Sequence, residues 1–244
     1  MDGMVRILWF LFETAGTAAF AVSGAFLGLA KKMDLFGVVV LAVLTAVGGG
    51  MIRDVLVGVT PPTALQSPRW LLLAIAVAVA ASLIFELLSF SRKAKSQFLL
   101  FYNFCDTLGL AAFTVTGVLT GFARYPQSRF VLPTMLGLLT AVGGGVMRDL
   151  MAQRVPVVLD RDVYAVAAVA GGFVLCAVRL FISVPAAAAV AFIFVLALRA
   201  CVLTFGWQIY HPRPRGIVSR YLARRRLRRR GLRERQEGRA EKAQ

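Results

Sequence analysis

Apolar residues in this chain gather into long runs that few polar residues interrupt. An α-helix rises about 1.5 Å per residue, so roughly 20 apolar residues cross the ~30 Å hydrocarbon core of a bilayer. Seven runs reach that length, at 7–29, 35–57, 70–90, 98–122, 130–151, 163–184 and 186–207. The pattern predicts an all-α integral membrane protein with seven transmembrane helices, spans one to seven.

Spans one and four carry the same pattern of small and polar residues. Glu13-Thr14, Gly16, Ala19-Phe20, Ser23-Gly24 and Gly28 return 93 residues later as Asp106-Thr107, Gly109, Ala112-Phe113, Thr116-Gly117 and Gly121. Three spans per copy is an odd number, so the second copy must insert upside down. We therefore expect two inverted three-helix repeats, residues 1–91 and 92–184, then an extra C-terminal helix, 185–207, and a basic tail, 208–244.

A second repeated phrase combines three glycines with adjacent charges. Residues 45–54, Thr-Ala-Val-Gly-Gly-Gly-Met-Ile-Arg-Asp, return at 140–149 as Thr-Ala-Val-Gly-Gly-Gly-Val-Met-Arg-Asp. Because glycine destabilises a helix interior, we expect spans two and five to break there, so that freed carbonyls can coordinate a cation. The glycines concerned are Gly48, Gly49 and Gly50 and Gly143, Gly144 and Gly145. The alternative is that they only permit close helix crossing, as we expect for Gly24, Gly28, Gly117 and Gly121.

Charged residues inside the spans need partners, because an isolated charge beside lipid is costly. Adjacent residues of a helix do not face each other, so the Arg-Asp neighbours of the repeated phrase are not expected to pair. Depth along the spans instead predicts two ion pairs between spans, Glu13 with Arg53 and Asp106 with Arg148. The alternative is that both arginines extend to lipid head groups.

Other polar side chains of the repeats are candidates to line a conduit. The predicted ion pairs leave the carboxylates of Asp54 and Asp149 free for that role. The candidate hydroxyls are Thr14, Thr17 and Ser23 of span one and Thr107, Thr114 and Thr116 of span four. Serine and threonine also bond to carbonyls of their own helix, which is the alternative for these six residues.

Composition narrows the classes of function. Hydrophobic residues make up 59% of the chain, as in a membrane protein. Its three cysteines lie inside predicted spans, so no disulfide framework is expected, and its single histidine suggests no metal site. Since no nucleophile–base constellation or nucleotide-binding loop is visible, we expect neither an enzyme nor a bound cofactor.

Positive charge predicts the orientation. Lys31, Lys32, Arg92, Lys93, Lys95, Arg154, Arg161 and the tail fall on one side of the seven-span topology. The positive-inside rule makes that side cytoplasmic and places the N-terminus outside. The apolar run after Arg6 could be a signal peptide, but Glu13 interrupts it, so we expect it to be retained.

The tail is the most basic part of the chain. From Arg213 onward it carries 13 of the 28 Lys and Arg residues. We expect it to bind anionic lipid and not nucleic acid, since no folded nucleic-acid-binding module accompanies the charge.

The doubled GGGxxRD phrase and the predicted three-plus-three-plus-one spans together resemble the prokaryotic branch of the trimeric intracellular cation (TRIC) channel family. The resemblance covers residues from about Met4 to Trp207. It implies a bacterial inner-membrane homotrimer that conducts monovalent cations, potassium foremost and sodium also. Each protomer would hold one pore, lined mainly by spans one, two, four and five and kinked at the triple glycines.

On the residues alone, the first alternative to the channel is a carrier, and a structural or lipid-binding protein comes after it. Inverted repeats with helices broken near the bilayer midplane are equally the plan of an alternating-access carrier. The second hypothesis is therefore a secondary transporter of a small solute such as glycine.

Overall fold

The computed structural model describes residues 3–87, 94–160 and 163–206, which belong to one compact unit, 1–208. These residues fold into helices joined by short turns. The helices are α1 (Gly3–Ala30), α2 (Leu35–Leu56), α3 (Thr63–Gln66), α4 (Arg69–Leu87), α5 (Ala94–Arg124), α6 (Val131–Met151), α7 (Val157–Asp160), α8 (Val163–Val178) and α9 (Val184–Phe205). A second unit, 209–244, lies outside the described residues, so the lipid-binding role of the basic tail stays a prediction.

Six described helices are long and apolar enough to cross a bilayer, namely α1, α2, α4, α5, α6 and α9. The predicted sixth span, 163–184, forms the shorter apolar helix α8, which has 16 residues and ends at Val178. At 1.5 Å per residue α8 is about 24 Å long, less than the hydrocarbon thickness. The protein is thus an all-helical membrane protein, and its described residues contain six full-length candidate spans.

Helices α1, α2, α5 and α6 form the centre of the bundle. α1 runs antiparallel to α5: Trp9 Nε1 donates to Thr120 Oγ1 at 3.3 Å, and Phe26 packs on Phe101 with ring centroids 5.5 Å apart. α4 packs against α1 and α2, whereas α8 packs against α5, α6 and α9. α4 can therefore cover the end of α2, and α8 can cover the end of α6.

The prediction of helix breaks at the triple glycines is wrong. Both α2 and α6 remain α-helical through their three glycines. A Cβ atom on Gly49 would collide with the carbonyl oxygen of Thr140, and one on Gly144 with that of Thr45. Helical hydrogen bonds persist because lipid offers the backbone no replacement partners. The glycines permit the close antiparallel crossing of α2 and α6, as the alternative held.

The packing prediction for the other glycines is confirmed. A Cβ on Gly24 or Gly28 of α1 would press against the backbone of α2, and one on Gly117 or Gly121 of α5 against that of α6. Close approach adds van der Waals contact, which drives helix association in lipid. These glycines thus attach α1 to α2 and α5 to α6.

Candidate functional site

The first charge cluster consists of Glu13 on α1 with Arg53 and Asp54 in the last turn of α2. All three side chains are buried. Arg53 Nη1 lies 3.7 Å from Glu13 Oε2, and Arg53 Nε donates to Asp54 Oδ1 at 2.9 Å. The Trp9 ring lies 6.0 Å from the Arg53 guanidinium carbon. The predicted pair of Glu13 with Arg53 is confirmed, as a loose contact.

The second charge cluster is built from Asp106 on α5, Arg148 and Asp149 in the last turn of α6, and two further arginines described below. Arg148 Nη1 donates to Asp106 Oδ1 and to Ser23 Oγ, both at 2.5 Å. Arg148 Nε donates to Asp149 Oδ1 at 2.9 Å. The predicted pair of Asp106 with Arg148 is confirmed, and it is shorter than its counterpart in the first cluster.

The expectation that Arg-Asp neighbours do not pair is wrong in both clusters. Each arginine bonds through Nε to the aspartate that follows it, over the same distance of 2.9 Å. The rule holds for short side chains that leave the helix radially. An arginine side chain is long enough to fold back along the last helical turn, where it satisfies one carboxylate beside it and another across the bundle.

Asp54 and Asp149 are not free to face a conduit, so that prediction is also wrong. Asp54 Oδ2 accepts the backbone N–H of Thr63 at 2.8 Å, and Asp149 Oδ2 accepts that of Val157 at 2.8 Å. These N–H groups begin the short helices α3 and α7, where no preceding turn supplies an acceptor. The two aspartates therefore fasten α3 and α7 over the helix ends.

The turns after α2 and α6 share one backbone design. Gly58 and Gln153 adopt φ of +75° and +52°, as is common in the residue that terminates a helix. In the next residues, Val59 N–H bonds to Asp54 O at 2.8 Å and Arg154 N–H to Asp149 O at 3.0 Å. Each turn reverses the chain and brings the start of α4 or α8 beside a charge cluster.

The candidate hydroxyls divide into three groups. Thr14 and Thr114 bond to carbonyls of their own helix, each at 2.8 Å. Ser23 binds Arg148 in the second cluster, and Thr116 Oγ1, beside Glu13, donates to Phe113 O of its own helix at 3.5 Å. Thr17 lines a small cavity, and Thr107 is buried. A pore-lining role for the six hydroxyls stays a prediction.

The first cluster borders that small cavity at the end of α2. Its lining residues are Glu13, Thr17, Ala46, Val47, Gly50, Arg53, Asp54, Thr63, Ala64 and Trp70. Two of the buried side-chain atoms that lack a hydrogen-bond partner among the described residues, Glu13 Oε2 and Arg53 Nη1, belong to this lining. Unsatisfied buried polar atoms beside a cavity of this size are suited to bind a water molecule.

Sequence reasoning missed two arginines of the second cluster. Arg154, after α6, donates through Nη2 to Asp149 Oδ1 and to Tyr102 Oη, both at 2.6 Å. Arg199 on α9 is buried, with its guanidinium carbon 4.8 Å from the centroid of the Tyr164 ring. Arg199 could have been found, because it is the single charge in the last apolar run, and such charges are functional candidates.

Sequence reasoning also missed the aromatic partners of the two paired arginines. Trp9 and Tyr102 each precede the acidic residue of their helix by four positions, and they lie 93 residues apart. Their rings face Arg53 and Arg148, at 6.0 Å and 5.4 Å from the guanidinium carbons. Their spacing of 93 residues, the same as between Glu13 and Asp106, is the signal that could have identified these two rings.

Neither metal ligands nor bonded cysteines appear in the described parts of the chain. No group of three or more His, Cys, Asp or Glu residues there could hold a metal ion. The thiols of Cys105, Cys176 and Cys201 are free. What the two clusters offer chemically is fixed charge at the ends of two crossing helices.

Comparison with known proteins identifies relatives over most of the chain. A family model described as glycine transporter matches residues 10–86 and 103–180. A UPF0126 membrane protein of Vibrio cholerae is 39% identical over 68% of this chain and 66% of its own length. The UPF0126 inner membrane protein YadS of Escherichia coli is 33% identical over 84% of this chain and 96% of its own length.

Solved structures match as well. A structure described in a study of conductance through TRIC cation channels is 34% identical, with a TM-score of 0.72, over 84% of this chain and 98% of that chain. The TRIC trimeric intracellular cation channel orthologue from Rhodobacter sphaeroides is 32% identical, with a TM-score of 0.73, over 82% of this chain and 98% of that chain.

Proposed function

Because this chain belongs to the family of membrane proteins that includes the prokaryotic TRIC channels, we propose that it is a channel for monovalent cations, potassium foremost. The observation that carries this proposal is the pair of arginine–carboxylate clusters at the ends of two crossing central helices. Buried charges of this kind mark ion pathways in membrane proteins. The TRIC proteins of similar structure are cation channels by description.

We propose that the pathway runs between α1, α2, α5 and α6. The crossing of α2 and α6 at Gly49 and Gly144 forms its narrow middle, and one charge cluster lies on each side. Two features support this placement. The helices cross antiparallel, so that Arg53 and Arg148 follow the glycines in opposite directions. The first cluster borders a small cavity, which Glu13 and Thr17 help to line.

We propose that an inverted repeat gives this pathway its symmetry. The family model matches the chain in two successive segments, 10–86 and 103–180. Contacts recur between them: Trp9 faces Arg53 as Tyr102 faces Arg148. Antiparallel packing of α1 with α5 and of α2 with α6 supports the inversion. The helix α9 is then the unpaired addition.

We propose the oligomeric state and the membrane location of this chain from the descriptions of its relatives. The Rhodobacter sphaeroides orthologue is a trimeric channel by description, so we propose a homotrimer with one pore per protomer. YadS is an inner membrane protein by name, and we propose the same membrane here, with the N-terminus outside and the C-terminus cytoplasmic. The basic tail would then contact anionic lipid of the cytoplasmic leaflet.

Single-channel recording of purified protein in a planar bilayer under a potassium gradient tests the channel function. Unitary currents that reverse near the potassium equilibrium potential are the expected result. The competing function is the carrier of a small solute, which the description of the family model favours. Saturable glycine counterflow in sealed vesicles, without unitary currents, would replace the channel with that carrier.

A further inference from the structure

The two charge clusters differ in formal charge. The first has the carboxylates of Glu13 and Asp54 against the single guanidinium of Arg53, which gives a formal charge of −1. The second has two carboxylates and three guanidiniums, which gives +1. Its members are Asp106, Asp149, Arg148, Arg154 and Arg199. Because the two clusters share their pattern of contacts, formal charge is the main difference between them.

Arg154 contributes part of the difference in formal charge, at one position of the turn that follows both α2 and α6. Arg154 and Val59 occupy the same place after α6 and α2, because each donates its N–H to the carbonyl of the aspartate five residues earlier. The valine adds no charge, whereas the arginine returns its guanidinium to Asp149 and Tyr102. Its side chain is 29% exposed, so its field reaches the aqueous approach to the cluster.

Arg199 creates the rest of the contrast from the unpaired helix α9. It is 1% exposed, packs on the ring of Tyr164 and interacts electrostatically with Asp106. In the corresponding part of the first cluster, Trp70 takes the place of Tyr164, and no helix equivalent to α9 is present among the described residues. The charge of Arg199 therefore belongs to the second cluster alone.

One further cation lies near the first cluster but does not equalise the two. Arg69 is exposed, donates to Ser67 Oγ at 2.8 Å and lies 6.0 Å from the centroid of the Trp70 ring. Water and salt screen an exposed charge strongly. The buried first cluster thus keeps its negative formal charge.

On the basis of the proposed channel function, we propose that Arg154 and Arg199 make the second cluster the main electrostatic barrier to cations and so determine unitary conductance and rectification. A cation passing the first cluster meets negative charge, crosses between Gly49 and Gly144, and then meets positive charge. The barrier lies near one end of the pathway. A cation that enters from the first cluster therefore traverses most of the membrane voltage before it reaches the barrier, whereas a cation that enters from the other end does not. Current is therefore larger when cations move from the first cluster to the second.

Arg154→Val tests the inference by giving the second turn the residue of the first. One unit charge ~8 Å from an ion in a water-like dielectric changes the local cation concentration about twofold. In symmetrical, dilute potassium chloride we expect an about twofold increase in unitary conductance and a more linear current–voltage relation. Arg154→Lys is the matched comparison, because it keeps the charge and should therefore change the conductance less than Arg154→Val does.

The converse substitution and a change in α9 extend the test. Val59→Arg places the extra charge in the first cluster, so it should lower the conductance and also reduce the rectification. Arg199→Gln should act in the same direction as Arg154→Val. Concentrated salt should diminish the effect of Arg154→Val, because mobile ions screen its partly exposed site.

The outcomes separate this inference from the proposed function. A wild-type protein without unitary currents would overturn the channel itself. Wild-type currents that are symmetrical in voltage, and unchanged by Arg154→Val and Val59→Arg, would leave the channel standing and overturn the barrier. Equal effects of Arg154→Val and Arg154→Lys would also overturn it, because they would show that packing matters and charge does not.

Discussion

Arg148 illustrates at the scale of one residue how this protein holds charge at the depth of its spans. It is 0% exposed and donates to Asp106, Ser23 and Asp149. Burying a guanidinium is tolerated only when carboxylates and further hydrogen bonds compensate the lost hydration. Arg53 in the first cluster has a looser arrangement, with 3.7 Å to Glu13. The two arginines should therefore respond differently to the loss of their partners.

Asp106→Asn should destabilise the protein more than Glu13→Gln. Breaking a buried pair by neutralising one partner costs about 3–5 kcal/mol, and the full cost applies only where the contact is short, as at Arg148. Thermal unfolding in detergent measures the effect, with Asp106→Asn expected to lower the midpoint more. Equal midpoints for the two variants and the wild type would show that neither cross-helix pair stabilises the fold.

The cross-helix pairs could be predicted because depth along a span is fixed by residue count. The bonds between adjacent residues, Arg53 with Asp54 and Arg148 with Asp149, could not be, because helix geometry describes backbone directions and not the reach of a folded-back side chain. Arg199 was overlooked because it has no repeat counterpart. Its position in the fold became clear only from the packing of α9.

At the scale of helices, the crossing of α2 and α6 decides how the glycines act. Each interior glycine costs about 1 kcal/mol relative to alanine, which is small beside the loss of backbone hydrogen bonds in lipid. Local propensity therefore overestimated the effect of three glycines. What propensity could not show is that Gly49 and Gly144 each face a backbone carbonyl of the other helix.

Alanine at Gly49 or Gly144 should prevent the close crossing. The added Cβ would collide with a carbonyl oxygen of the facing helix, which cannot move without separating the helices. Gly50→Ala and Gly145→Ala are matched controls from the same triplets, because their Cβ atoms would find the nearest atom at 3.5 Å.

Size-exclusion chromatography and thermal unfolding in detergent measure that difference. Gly49→Ala and Gly144→Ala should give less folded protein and a lower unfolding midpoint, whereas the controls should match the wild type. If all four variants behaved alike, the glycines would not be there for the crossing.

The short helices α3 and α7 illustrate a limit of sequence patterns. Each has four residues, too few for hydrophobic periodicity to reveal. Their positions depend on single hydrogen bonds from Thr63 and Val157 to aspartates of α2 and α6. The sequence does not show which backbone N–H groups lack an acceptor. It therefore could not show that these two carboxylates are bonded and do not face a conduit.

Asp54→Ala should release α3 from the end of α2. The N–H of Thr63 would lose its carboxylate acceptor, so the segment 58–66 should open more often. Hydrogen–deuterium exchange in detergent should be faster in that segment and unchanged in 153–160, which serves as the internal control. Unchanged exchange in 58–66 would mean that Asp54 does not fasten α3.

At the scale of the whole molecule, hydropathy predicts the membrane class and most spans, because the bilayer fixes the length of a crossing helix. The 16-residue α8 departs from the seven expected spans, since its apolar run turns at Arg179 before the hydrocarbon thickness is reached. The repeat and the depth along the spans identified the cross-helix pairs, Glu13 with Arg53 and Asp106 with Arg148, but not Arg154 or Arg199.

Access of a small cation to Thr17 tests the proposed pathway most directly. Thr17 lines the cavity beside Glu13, whereas Leu11 on the same helix is exposed on the outer surface of the bundle. Thr17→Cys and Leu11→Cys would be recorded with silver ions, in a background with Cys105, Cys176 and Cys201 replaced by alanine.

Silver should bind the thiolate in the pathway, so unitary potassium currents of Thr17→Cys should fall irreversibly. Currents of Leu11→Cys and of the cysteine-free parent should persist. Persistent currents in Thr17→Cys, or equal block of both variants, would show that cations do not pass the first charge cluster.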